Sequence, residues 1–116
     1  MSPEPTDELF LRIADRLKTI SDPTRLKILH LLENRELTVS QILAAVGGSQ
    51  ANISKHLARM RHGGLVAARR EGTAVYYRVS DPTAFAICKT VCDALEERAA
   101  EEHRMLRDRR ESGGDR

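Results

Sequence analysis

Two glycine pairs, Gly47–Gly48 and Gly63–Gly64, fence the segment from Ser49 to His62. Glycine after an amphipathic run ends a helix, so a run bounded in this way is one short helix and not part of a long rod. Ser49 stands at its N-cap, and Ile53, Leu57 and Met60 recur at helical spacing as the inward stripe. Gln50, Asn52, Lys55, Arg59 and Arg61 are left to point outward. Immediately upstream, Thr38 with Gln41 fits a capping box, opening a second short helix through Ile42 and Val46. Two short helices joined by a glycine turn, the second polar and basic outside, form the unit that enters a DNA major groove about 12 Å wide.

The flanks fit the same architecture. Pro3 and Pro5 mark a loose N-terminal tail over residues 1–5, and Leu9, Phe10, Ile13, Leu17 and Ile20 form an amphipathic stripe from about Thr6 to Ile20. Asp22–Pro23 and Asp81–Pro82 each place an N-cap residue before proline at the first helical position, where its missing N–H costs nothing. The first opens a helix with Leu26, Ile28, Leu29, Leu31 and Leu32, in which His30 reads as a core residue. The second opens a long helix with Phe85, Cys88, Val91, Cys92 and Leu95 on one stripe, fraying after Leu106. Between them, Leu65–Glu71 and Ala74–Ser80 read as a two-stranded ribbon turning at Glu71, Gly72 and Thr73. Residues 6–108 are thus one mainly α domain with a small β-hairpin, in the order α-α-α-α-β-β-α, and residues 109–116 a flexible tail.

Composition supports this reading and narrows the function. A chain of 116 residues holds one compact core, and with Tyr76, Tyr77, Phe10 and Phe85 as its only aromatics a large β-sandwich is disfavoured. No stretch approaches the length and apolarity of a membrane span and the start MSPEPTDE lacks the regions of a secretory signal, so the expected location is the cytoplasm. The net charge of +2 is small but unevenly placed. From Ser49 to Ser80, Lys55, Arg59, Arg61, Arg69, Arg70 and Arg78 face Glu71 alone, a balance of +5, whereas Asp93–Glu111 carries −2. The basic face therefore coincides with the short polar helix and the hairpin after it. No phosphate-cradling glycine loop, zincin motif or nucleophile elbow occurs, which disfavours an enzyme. A winged-helix adaptor that docks proteins instead of DNA is the remaining rival.

In this frame each outward residue has a chemistry. Ser49 and the amides beside it suit a phosphate, Gln50 and Asn52 offer donor and acceptor together to a base edge, and Lys55 and Arg59 hold phosphates. Arg69 and Arg70 in the hairpin add phosphate or minor-groove contacts. His56 hydrogen-bonds phosphate or braces the fold; His62 and His103 face solvent.

The segments DPTRLKILHLL and SQANISKHLARMRHGGLVAARREGTAVYYRV resemble the ArsR/SmtB family of bacterial metal- and redox-responsive repressors, over nearly the whole ordered chain. The resemblance implies a winged helix-turn-helix, a homodimer built from the first and last helices, and binding to an inverted-repeat operator until an inducer is sensed. It further implies that Ser49, Gln50, Asn52, Ser54, Lys55 and His56 face DNA, with Arg69, Arg70 and Thr73 in the wing. The chain departs from the best-known members at their metal sites. Thr38, Val39 and Ser40 stand where a Cys-x-Cys motif often lies, and the last helix has only His103 in place of a His-x-x-Glu pair.

Cys88 and Cys92 remain, four apart on one helix face and about 6 Å apart along the axis. A disulfide at that spacing strains the helix, because Cβ atoms must approach to about 3.5–4.5 Å. Thiolates from one helix, or four from a symmetric pair, suit a soft metal or metalloid ion, a polysulfide link, or reversible modification by an oxidant. Equally, cysteine is among the most buried residue types, and both positions fall on the apolar stripe.

Overall fold

The computed structural model describes residues 4–113. Helices α1 (Asp7–Ile20), α2 (Pro23–Leu31), α3 (Val39–Val46) and α4 (Gln50–His62) are followed by a hairpin and a long helix α5 (Pro82–Gly113). Three strands, β1 (Leu37–Thr38), β2 (Val66–Glu71) and β3 (Ala74–Val79), make an antiparallel sheet in the order β1-β3-β2. The residues up to Phe85 form one compact unit and those from Ala86 onward a second, which consists of α5 beyond its first turn.

Local chemistry sets the helix starts. Thr6, Asp22, Thr38 and Ser49 each occupy an N-cap in extended backbone and accept a hydrogen bond from the amide three residues on. Thr38 and Gln41 complete the reciprocal capping box. The hairpin closes through two residues, Gly72 and Thr73, between the paired Glu71 and Ala74. Gly72 has φ +62°, a backbone state that glycine adopts at no steric cost.

The first unit packs Ile28, Leu29 and Leu32 of the α2 segment against Ile42 of α3, Ile53, Leu57 and Met60 of α4, and Leu65 and Val66 leading into β2, all essentially inaccessible to solvent. Arg16 of α1 donates to the Gly63 carbonyl and to the Asp81 carboxylate, tying the first helix to the end of α4 and to the cap ahead of α5. Burial alone would raise the Asp81 pKa, but the Arg16 guanidinium and the amides of Ala84 and Thr83 outweigh it and hold the carboxyl below its ordinary range. Gly63 lies so close to α1 that a Cβ there would sit 2.9 Å from Thr19 Cγ2.

Three sequence expectations change. The ribbon gains a third strand, since Leu37 and Thr38 pair with Tyr77 and Tyr76. His30 is exposed and not in the core, because Ile28, Leu29 and Leu32 define the buried side of α2 and His30 falls outside it. The last helix does not stop near Leu106, and residues 109–113 of the expected tail are helical. Arginine and glutamate are good helix formers, so a charged run at a helix end prolongs it readily. Residues 1–3 and 114–116 of the two expected tails lie outside the described residues. Among the described residues, no helix is long and apolar enough to cross a membrane.

Candidate nucleic-acid interface

Helix α4 carries the centre of the site. Its inward stripe is buried, whereas Gln50, Asn52, Ser54, Lys55 and Arg59 are all exposed. The Ser49 hydroxyl accepts from the Asn52 amide at 3.1 Å, so this side chain is committed to capping. α1 has Asp7 and Glu8 in its first turn, but α4 has no acid there and collects Arg59, Arg61 and His62 in its last turn. The positive end of its dipole is thus not offset by a side chain, which favours an incoming phosphate.

His56 departs from the outward set. It is half-buried, with Nδ1 3.8 Å from Asp22 Oδ2, and braces α4 against the cap of α2. The Arg25 amide, with lesser help from the charges of His56 and Arg25, keeps the Asp22 carboxyl below its ordinary pKa. Asp22 was legible as a cap; its second task, receiving a histidine from α4, has no local sequence signal.

In the hairpin, strand alternation separates the two arginines. The β2–β3 register places Val66, Ala68 and Arg70 on one face with Val79, Tyr77 and Val75, and Ala67, Arg69 and Glu71 on the other with Arg78, Tyr76 and Ala74. Buried Val66 marks the first face as the one turned toward the helices. Arg70 therefore extends from the helix side of the ribbon near its tip, beside exposed Thr73. Among the described residues Arg70 makes no ion pair, and neither do Lys55 or Arg59.

Arg69 is placed differently. Its Nε donates to Glu36 Oε2 at 2.7 Å, its Nη1 to Glu71 Oε2 at 2.8 Å, and its guanidinium carbon lies 4.8 Å from the centre of the Tyr76 ring. The hydrogen bonds that Arg69 donates to Glu71 and then to Glu36 push its pKa above the ordinary guanidinium value. Glu36 was not singled out in the sequence, and nothing local marks it, since its partner is 33 residues away.

The geometry is a winged helix-turn-helix with an uncovered polar α4. Residues 22–68 match the family described as "Bacterial regulatory protein, arsR family". The HTH-type transcriptional regulator Rv0081 of Mycobacterium tuberculosis is 37% identical over 78 residues, 66% of this chain and 68% of that protein. The chain belongs to the ArsR family. The crystal structure of Rv0081 superposes on this ArsR-family chain with a TM-score of 0.73 at 31% identity, covering 84% of this chain and 98% of that one. The HTH-type transcriptional regulator KmtR, also from M. tuberculosis, is 34% identical over 79 residues, and the match spans 68% of this chain and 60% of KmtR. The solution structure of Mb0332 from Mycobacterium bovis, described as a homodimeric winged helix-turn-helix DNA-binding domain, gives a TM-score of 0.72 at 31% identity over 87% of this chain and 95% of that one. Membership places the chain among bacterial regulatory proteins and not among enzymes.

The second unit carries the two thiols. Cys88 is half-buried and Cys92 exposed, so the packing expectation fails for Cys92 within the chain itself. Burial pushes the Cys88 thiol pKa up. The Glu96 charge, followed by burial and the hydrogen bond to Glu96, raises that of Cys92, whose Sγ lies 3.7 Å from Glu96 Oε1. Cys92, Asp93 and Glu96 bring their ligand atoms within 4.8 Å of one another, and Cys88 does not join them. One soft thiol with two hard carboxylates is a mixed donor set, unlike the paired thiolates that a soft ion prefers.

Proposed function

We propose that this chain is a homodimeric transcriptional repressor that inserts α4 into the major groove of an inverted-repeat operator, sets Arg70 and Thr73 of the wing on the adjoining backbone, and leaves the DNA when a small inducer binds. The observation that carries the reading is the exposed, acid-free start of α4, followed on the same helix by exposed Lys55 and Arg59, together with a cationic wing tip. Gln50 and Asn52 read base edges, and Lys55, Arg59 and Arg70 hold phosphates.

Pairing is supported by α1. Leu9, Phe10, Ile13 and Leu17 are all exposed, Phe10 to 56%, although they form the apolar side of a helix. Val91 and Leu95 of α5 are likewise uncovered. Apolar residues grouped in this way mark an interaction surface, and a second copy satisfies α1 and α5 by two-fold symmetry.

The test is a gel shift across a salt series, with duplexes enriched from random sequence by the protein itself and with an unselected duplex. Gln50→Ala or Asn52→Ala should relax base preference, each losing about 1–3 kcal/mol of discrimination. Arg70→Ala should weaken both duplexes alike and flatten the plot of log affinity against log salt by about one. The same loss of discrimination and slope for all three variants would overturn this division of roles. Failure of the wild type to bind either duplex would favour the protein-docking adaptor.

The signal is the finer part of the proposal. Cys88 and Cys92, on adjacent turns of α5, are the residues where a thiol-directed inducer acts. Burial at Cys88 and the Glu96 charge at Cys92 both disfavour the thiolate, so a soft metal, metalloid, sulfur species or oxidant acting there has to displace the thiol proton. Glu96→Gln should speed alkylation of Cys92 by iodoacetamide severalfold at neutral pH and leave Cys88 unchanged, as read by mass spectrometry of the labelled peptides. Equal rates before and after the substitution would remove Glu96 as the controlling charge.

A further inference from the structure

The sheet has β3 in its centre and β1 and β2 at its edges, and one side chain reaches from one edge across the central strand toward the other. Arg69 leaves the edge strand β2, passes over Tyr76 of the central strand, and donates to Glu36, the residue before the opposite edge strand β1. Register makes this path direct, because Arg69 pairs with Tyr76 and Tyr76 pairs with Thr38, all on one face. Glu71, two residues along β2 on that same face, holds the other side of the guanidinium at 2.8 Å. Thr38, two residues after Glu36, is the N-cap of α3. The crossing therefore links the wing to the start of the helix-turn-helix.

We propose that Arg69 is a positioning residue that staples the wing to the β1–α3 junction and so fixes the wing's approach to DNA, while Arg70 on the opposite face supplies the phosphate contact. The inference rests on the DNA-binding reading above. A cation already bonded to two carboxylates and lying against a ring has little left to offer a phosphate. A planar fork can meet two carboxylates at once, whereas a lysine ammonium acts as a point charge and does not reproduce that geometry.

Glu36→Gln separates the possibilities by sign. It removes a negative charge near the wing, so if Arg69 were a direct DNA contact, freeing it would tighten binding. If Arg69 is the staple, affinity for an unselected duplex and for self-enriched duplexes falls about threefold, the scale of an exposed ion-pair network. Arg69→Lys provides a second arm, since a phosphate contact survives the exchange and a staple does not. Arg69→Lys should weaken binding as Glu36→Gln does, with the salt slope unchanged, whereas Arg70→Gln lowers the slope by about 0.9. In the free protein, Glu36→Gln should also accelerate amide hydrogen exchange in residues 67–71 and 74–78. Affinity that stays level or rises, or hairpin exchange that does not change, overturns the proposal. Because the exchange experiment contains no DNA, it judges the staple even if the wild type binds no duplex.

Discussion

Ile13→Glu should convert the protein into a monomer and weaken operator binding by two or more orders of magnitude. Ile13 lies on the uncovered apolar side of α1 with Leu9, Phe10 and Leu17. In an isologous interface a single substitution is met twice, so each dimer would bury two unpaired carboxylates. An uncompensated buried charge costs about 3–5 kcal/mol. The monomer should still fold, because Ile13 is 44% exposed and contributes little to the chain's own core. Sedimentation equilibrium checks the mass, and a gel shift on a self-enriched duplex checks the binding. A variant that remains dimeric would place the pairing surface elsewhere.

Leu57→Ala should destabilise the fold by about 2–5 kcal/mol, the range for truncating a fully buried leucine. Leu57 is inaccessible to solvent and lies on the inward stripe of α4 between Ile53 and Met60. Since small domains are stable by only about 5–15 kcal/mol, this change takes a large share of the total. It also removes the seat of α4, so DNA affinity should fall at temperatures where a fraction of the chain is unfolded and recover on cooling. Urea denaturation followed by circular dichroism measures the first effect, and gel shifts at two temperatures measure the second. A loss below about 1 kcal/mol would mean that the site collapses around the missing atoms.

The readability of this chain follows the range of the interactions involved. Caps act over three residues, so Asp22, Thr38 with Gln41, and Ser49 announced their helices in the sequence. The inward stripe of α4 was equally plain, because Ile53, Leu57 and Met60 keep helical spacing. Strand β1 was not legible: two residues carry no periodicity, and their partners lie on β3, far along the chain. The differing fates of Arg69 and Arg70 were hidden for the same reason. Adjacent in sequence, they look equivalent until alternation puts them on opposite faces and Glu36 arrives from 33 residues away. His56 shows a third case, in which a residue inside a polar helix turns inward because the neighbouring helix offers a carboxylate.

Thr38 has two attachments, as the last residue of β1 bonded into the sheet and as the cap that begins α3. A segment that transplants α3 and α4 into another scaffold would thus need Leu37–Thr38 and a complementary strand to receive them. Cut at Val39, the graft would lose its anchorage and its first helical turn together.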